Sequence, residues 1–326
     1  MNINDRNIKI WSTIGARATL GIAALELAKE IDNLMVLTCD VSTSAGLDRF
    51  RKTFPEKYLD LGIAEQNMIG VAAGLASENF NVITTTFAPF QTMRCCEQIK
   101  VNLGYMGQKI CMVGIASGLA LGTLGYTHCC IEDVGVLRSI PGMIIVSPAD
   151  SLETVKALEA EIKLKNPSYL RLTGSSNNPI VYNKDYEFEI GKSITLREGK
   201  DITIFCAGAM VHKSLEVAKI LESKNISCKV INMHTIKPID KMAIEEACNS
   251  KLIVSVEEHN IIGGLGSAIA EYKSSLKKSP KQLFLGIKDT YSKGGNYKFL
   301  QEKHRLTSNK IVEDILNSYW ITKNEQ

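Results

Sequence analysis

Asp60-Leu-Gly-Ile-Ala-Glu65-Gln66-Asn67-Met-Ile-Gly-Val-Ala-Ala-Gly-Leu-Ala76 sets one carboxylate at the head of an almost uncharged, small-residue segment. Met68, Ile69, Val71, Ala72, Leu75 and Ala76 recur at helical spacing, so a helix is expected from Glu65 to Glu78. Gly70 and Gly74 leave room for another backbone to come close. A helix this apolar is expected to be buried, and its opening acid with it. A bare buried carboxylate is costly to ionise, so Glu65 calls for a specific hydrogen-bonding partner. The competing reading is an acid favoured by the helix dipole, worth up to ~1 kcal/mol. Spacing alone leaves both open.

Outward from this helix, short apolar runs alternate with amphipathic stretches, the pattern of parallel sheets covered by helices. In the first half, strands are expected at Leu34 to Cys39, Val82 to Thr85, Ile110 to Ile115, Met143 to Ser147 and Tyr169 to Leu172. Helices are expected at Thr19 to Ile31, Phe90 to Leu103, Glu132 to Ser139 and Ser151 to Leu164. The chain turns polar after Thr173, and residues 176–190 read as a linker. The rhythm then restarts, with strands at Ile202 to Ala207, Cys228 to Met233, Leu252 to Glu257 and Leu283 to Ile287. Helices follow from Val211, Lys241, Leu265 and Asn309. The expectation is a two-domain α/β protein, each domain a mostly parallel sheet flanked by helices, over residues 1–175 and 191–326.

With 326 residues and 45% hydrophobic composition, the chain can bury a large core. Lys and Arg total 38 against 35 Asp and Glu, interspersed, so no basic stripe is available to track nucleic acid. The N-terminus has no signal pattern, and no apolar run reaches the ~18 residues of a membrane span, so a cytoplasmic protein is expected. Nine cysteines without a C-x-x-C pair read as buried free thiols. Neither a phosphate loop nor a G-x-S-x-G elbow occurs, and the five histidines lack metal-ligand spacing, so no metal site is expected on this chain. Gly263-Gly264-Leu-Gly266 reads as a tight turn delivering a close-packed helix more readily than as a phosphate site. His128 follows Gly118, Gly122 and Gly125 in a loop expected at the C-terminal end of a strand, where open α/β sheets place ligands. Taken alone, it reads as a structural histidine.

Six segments occur in the order found in transketolase: Gly62-Ile-Ala-Glu65-Gln-Asn, Thr85-Thr-Phe87-Ala-Pro-Phe90, Gly125-Tyr-Thr-His128, Val146-Ser-Pro-Ala-Asp150, Met233-His-Thr-Ile-Lys-Pro238 and Glu257-Glu-His-Asn-Ile-Ile-Gly-Gly264. The chain therefore resembles the C-terminal half of that family, its pyrimidine-binding domain and C-terminal domain. The family's Gly-Asp-Gly…Asn motif, which holds magnesium and the diphosphate of thiamine diphosphate, is not found. The resemblance implies the smaller subunit of a split transketolase, paired with a separate N-terminal, diphosphate-binding subunit in an α2β2 assembly.

In the family the acid matching Glu65 hydrogen-bonds the pyrimidine N1′ and favours the tautomer that removes the thiazolium C2 proton. The resemblance makes Phe87, Phe90 and Met93 the pyrimidine pocket, with Asp40 an acid beside the cofactor. It makes Arg17 a phosphate-binding arginine, Ser44 a neighbouring hydroxyl, and His128 the residue that polarises a substrate carbonyl or shuttles a proton. Other positions depart from the family. Its substrate-reading aspartate falls on Leu124, an upstream histidine on Ala116, and a second phosphate arginine near Gly174. Two charge-assisted contacts to a dianion would then be missing.

The expected reaction is a two-carbon ketol transfer from a ketose donor to an aldehyde or keto-sugar acceptor, with substrates that differ from the usual sugar-phosphate pair. A nucleotide-linked keto-sugar acceptor is one specific case. The rival readings are the β subunit of a 2-oxoacid dehydrogenase first component and a non-catalytic remnant of the fold. His234 and His259, in the second half, are expected to be structural.

Overall fold

The computed structural model describes residues 1–174 and 176–324, with side chains to residue 320. The expected boundary at residue 175 and the last two residues of the expected second domain lie outside the described residues. The strands are β1 (Leu34–Thr38), β2 (Tyr58–Asp60), β3 (Asn81–Phe87), β4 (Ile110–Ser117), β5 (Ile144–Val146) and β6 (Ser168–Thr173), then β7 (Ile194–Arg197), β8 (Ile202–Cys206), β9 (Cys228–Asn232), β10 (Thr235–Lys237), β11 (Leu252–Asn260) and β12 (Gln282–Ile287). Among the described residues they form a seven-stranded sheet, β10-β5-β6-β4-β3-β1-β2, and a five-stranded sheet, β12-β11-β8-β9-β7. All pairings are parallel except those of β10 with β5 and β7 with β9. The two-domain α/β architecture is the one expected.

Central strands are legible because both their faces are covered. Every residue of β4 is buried, and β3 carries the β-branched run Val82-Ile-Thr-Thr-Thr86 through the middle of the sheet. Three of the four edge strands are not. β2, β7 and β10 were not expected, being short and bordered by polar residues, whereas the edge strand β12 was. The position of β10 carries the most consequence. It belongs to the second half of the sequence, yet Thr235 pairs with Val146 and Lys237 with Ile145, so the His-Thr-Ile-Lys-Pro run forms an edge of the first sheet.

The helices require four corrections. The first runs over Asp5–Glu30, well before Thr19, and contains a break at Gly15, whose φ of 83° suits a residue without a Cβ. The expected Phe90-to-Leu103 helix is divided into Ala88–Gln91, Cys96–Gln98 and a π-helix over Ile99–Tyr105. Side chains cause that division: the Thr92 hydroxyl donates to the Ala88 carbonyl at 2.7 Å and the Cys95 thiol to the Phe90 carbonyl at 3.1 Å. A helix over Tyr297–Lys303 was not anticipated. Finally, the Glu65–Ser77 helix is buried on one face only, through Glu65, Met68, Ile69, Ala72 and Ala73. Gly70 and Gly74 face outward, and a Cβ on either would meet nothing within 4 Å.

Candidate active site

The C-terminal ends of β1, β3 and β4, adjacent in the sheet, carry the site, as expected where parallel strands discharge into loops. Past β2, the Asp60 carboxylate accepts the backbone N–H of Asp40 at 2.9 Å and of Gly62 at 3.0 Å. One side chain thus ties the end of β1 to the turn that starts the Glu65 helix. Gly62 takes a φ of 67°, a conformation open to glycine, and delivers Glu65 into the helix's first turn. Asp40 is itself left-handed, with a φ of 56° and an exposed side chain.

The Glu65 side chain is only 3% exposed, and its Oε2 accepts a hydrogen bond from Arg94 Nη1 at 2.7 Å. The Arg94 guanidinium lies over the Phe90 ring, 4.0 Å from its centroid. The Gln66 side chain donates to the Arg94 carbonyl at 3.1 Å, so adjacent residues of one helix hold both ends of Arg94. Phe87 and Phe90 stand edge to face at 6.3 Å, and His128 presents its ring to both, 5.4 Å from Phe90 and 6.4 Å from Phe87. Three segments far apart in sequence therefore bring Glu65, Phe87, Phe90 and His128 into one cluster. Arg94 was not singled out from the sequence; its spacing from Glu65 carries no local signal, because a helix, a strand and a turn separate them.

His128 sits at the foot of a loop closed by paired backbone hydrogen bonds between Gly118 and Cys130, at 2.8 and 2.9 Å. Its Nδ1 is 3.0 Å from the Thr127 hydroxyl. A buried network anchors the loop from behind. Glu258 accepts the Leu119 N–H at 2.9 Å, the Tyr297 hydroxyl at 2.5 Å and the Gln301 amide at 3.2 Å. Arg171 donates to the Asp133 carboxylate at 2.8 Å and to the carbonyls of Cys130 at 3.2 Å and Glu258 at 3.0 Å. The Tyr169 hydroxyl also donates to Asp133, at 2.7 Å, and burial pushes the titration of that phenol well up. The position of His128 thus depends on contacts between the two halves of the chain.

Met93 is 45% exposed, and its neighbour Arg94 lies on Phe90. Arg17 and Ser44 belong to segments that touch, since a Cβ on Gly46 would lie 2.8 Å from the Arg17 carbonyl oxygen. Neither side chain is engaged in a hydrogen bond or ion pair among the described residues. Leu124, at the tip of the loop, is 57% exposed. Ala116 is buried with a φ of 54°, and Gly174 has a φ of 86°, where a side chain would be strained and its Cβ would lie 3.1 Å from Asn178 Oδ1. The backbone at 174 is therefore a poor seat for an arginine.

His234 and His259 both have structural surroundings. Burial lowers His259 to about 4, and its Nδ1 donates to the Asn260 carbonyl while Nε2 accepts the Gly135 N–H. His234, also lowered to about 4 by burial, packs on Phe188 with ring centroids 4.3 Å apart. Gly263–Gly266 forms the expected turn into a helix. Its N-terminus is met by the chain's own Glu257, which accepts the N–H groups of Leu265 at 2.7 Å and Gly266 at 2.9 Å. Among the described residues, no helix is long and apolar enough to cross a membrane.

Comparison with known proteins identifies both domains. Residues 12–178 match the transketolase pyrimidine-binding domain and residues 191–311 the transketolase C-terminal domain. A 6-deoxy-6-sulfo-D-fructose transketolase subunit of a Clostridium species is 36% identical over 88% of this chain and 89% of its own length. An apulose-4-phosphate transketolase subunit from Phocaeicola vulgatus is 37% identical over 87% of this chain and 90% of its own. Among solved structures, a split-gene transketolase in the form of an inactive β4 tetramer superposes with a TM-score of 0.87 at 34% identity, covering 95% of this chain and 99% of that one. The chain belongs to the transketolase family and carries its pyrimidine-binding and C-terminal domains.

Proposed function

We propose that this chain is the small subunit of a split, thiamine-diphosphate-dependent transketolase of the EC 2.2.1 class, transferring a two-carbon ketol unit to an aldehyde or keto-sugar acceptor. The observation that carries the proposal is the buried Glu65 carboxylate beside the rings of Phe87 and Phe90, with His128 at their edge. Aromatic faces beside a buried hydrogen-bonding acid fit a flat pyrimidine ring. When bound, thiamine diphosphate supplies the carbon nucleophile. Glu65 holds a proton at the pyrimidine N1′, Phe87 and Phe90 orient the ring and keep water from it, and His128 holds or delivers a proton at the substrate oxygen. Asp40 serves beside the cofactor, and Met93 lines the pocket one turn on from Phe90.

A separate subunit holds the diphosphate and Mg2+ in an α2β2 assembly. Ile63, beside Glu65, is 76% exposed, and Tyr105 and Met106 of the neighbouring segment are also exposed, an apolar surface suited to a partner. Two of the relatives are named as subunits, and the split-gene structure is that of an inactive β4 tetramer. The relatives' transketolase activities favour ketol transfer over the 2-oxoacid dehydrogenase reading. A cytoplasmic location accords with this role.

The substrate is a less usual sugar. Arg17 and Ser44 remain as its phosphate or hydroxyl contacts, while Leu124 presents apolar surface and Ala116 and Gly174 bring no charge. The relatives, which act on a sulfofructose and on apulose 4-phosphate, support this reading. The test is co-expression with candidate diphosphate-binding subunits, followed by cofactor-dependent transfer assays. The chain alone is expected to be inert, the pair active, and Glu65→Gln slower by roughly 10³-fold. Activity of the chain alone, or an unaffected Glu65→Gln, refutes the proposal. Turnover of xylulose 5-phosphate with ribose 5-phosphate at an ordinary transketolase rate refutes the substrate assignment.

A further inference from the structure

Arg94 makes the two contacts that a flat nitrogen heterocycle would need in the same place. Its guanidinium is planar, lies 4.0 Å from the centroid of Phe90, and donates from Nη1 to Glu65 Oε2 at 2.7 Å. Its backbone is fixed separately: the Arg94 N–H donates to the Pro89 carbonyl at 3.2 Å, and its own carbonyl accepts from Gln66 at 3.1 Å. The side chain can therefore move without displacing the chain that carries it. With the guanidinium 41% exposed, the route out is into solvent.

We propose that Arg94 is a placeholder for the cofactor's pyrimidine ring, holding the slot between Phe90 and Glu65 until the ring enters and displaces it. The inference rests on the reading of Glu65 and Phe90 given under the proposed function. An empty slot would leave a buried carboxylate without a counter-ion, which destabilises the fold. A leucine or phenylalanine there would fill the space and leave the charge unanswered. Arginine meets both needs, stacking on the ring while pairing with the acid. It also holds the site in the wrong chemical state. The guanidinium cannot give up its proton, so Glu65 Oε2 faces a fixed donor, whereas a ring nitrogen can share a proton with the acid. Ring entry therefore exchanges a static ion pair for the proton-sharing contact. Arg94 is a positioning residue acting through Glu65, and its occupancy reduces the apparent cofactor affinity by the fraction of molecules in which the slot is filled.

The test is calorimetric measurement of thiamine diphosphate affinity in the complex with the diphosphate-binding subunit, comparing the native chain with Arg94→Ala, Arg94→Lys, Phe90→Ala and Glu65→Gln. Arg94→Ala is expected to bind about tenfold more tightly than native, because the competing occupant is gone. Phe90→Ala and Glu65→Gln are expected to bind more weakly. If those two weaken binding while Arg94→Ala is unchanged or weaker, the placeholder is refuted and the pyrimidine site stands. If neither Phe90→Ala nor Glu65→Gln alters affinity, the site itself is misassigned and the placeholder falls with it. Should Arg94→Ala fail to fold, Arg94→Lys decides: it keeps the charge, loses the planar stack, and is expected to bind several-fold more tightly than native. Affinity equal to or weaker than native then refutes the placeholder.

Discussion

Two arginine–carboxylate pairs in this chain share nearly the same bond length and differ in almost everything else. Arg171 meets Asp133 at 2.8 Å with both side chains sealed, at 4% and 0% exposure. Arg94 meets Glu65 at 2.7 Å with the acid buried and the base 41% exposed. Around Arg171, the remaining donor capacity goes to the carbonyls of Cys130 and Glu258, and Tyr169 shares the acid. Around Arg94, the partner is a ring face and the rest is solvent. A sealed, multiply bonded pair defines architecture; an open one can be exchanged for a ligand. Arg171 of the first pair also reaches the Glu258 carbonyl of the second domain, whereas the second pair lies on the Phe90 face.

The comparison can be broken by measuring what each pair contributes. Arg171→Met leaves Asp133 buried without its cation and is expected to destabilise the chain by about 3–5 kcal/mol in urea unfolding. A loss below about 1 kcal/mol would mean the pair is not what seals the junction. A third carboxyl sharpens the contrast, because it pairs with no cation among the described residues. Glu161 is buried, meets the Cys111 thiol at 3.3 Å, and burial pushes it up from 4.5 to about 8. Its folded-state titration is raised, so its contribution is fully present below pH 4.5 and is lost as pH rises through about 8. Native stability should therefore fall across that interval. Glu161→Gln is expected to remove that fall, on the order of 3–5 kcal/mol across the interval. A mutant curve parallel to the native one across that range would contradict the assignment. The smallest effect is expected at the open pair. Arg94→Met should cost about 1–2 kcal/mol of unfolding free energy, less than Arg171→Met, because water enters the vacated, solvent-facing slot and solvates the Glu65 carboxylate. If it cost as much as Arg171→Met, Arg94 would be architecture, and the distinction between the pairs would collapse.

Much of the first domain was legible in the sequence. The runs at β1, β3, β4 and β6 are apolar or β-branched because both faces of an inner strand are covered, and such a pattern survives any detail of packing. The Glu65 helix was legible for the same reason, through one face of apolar residues at helical spacing. The short edge strands β2, β7 and β10 were hidden, since a strand of three or four residues paired on one side carries too few positions to show a period. The broken stretch after Phe90 was hidden too. Its apolar spacing reads as one helix, but the Cys95 thiol takes the Phe90 carbonyl that the Arg94 N–H would have used, and that N–H bonds Pro89 instead.

The site divides along the same line. Glu65 stood out by its own chemistry, as an acid opening an apolar helix, whereas Phe87, Phe90, Met93 and His128 were nominated only through the resemblance of their motifs to the family's. Arg94 was not nominated, since its meaning comes from lying over Phe90 and against Glu65.

By itself, the sequence determined the α/β class, the parallel inner strands and the residues able to do chemistry, because burial periodicity and side-chain functional groups are local properties. The tertiary structure alone decided that β10 crosses into the first sheet, that Arg171 and Glu258 brace the His128 loop, and that Arg94 occupies the face of Phe90. Contacts of this kind join groups far apart along the chain, as the separations of 29 for Arg94 and Glu65 and 139 for Leu119 and Glu258 illustrate. Only closing the chain onto itself creates them.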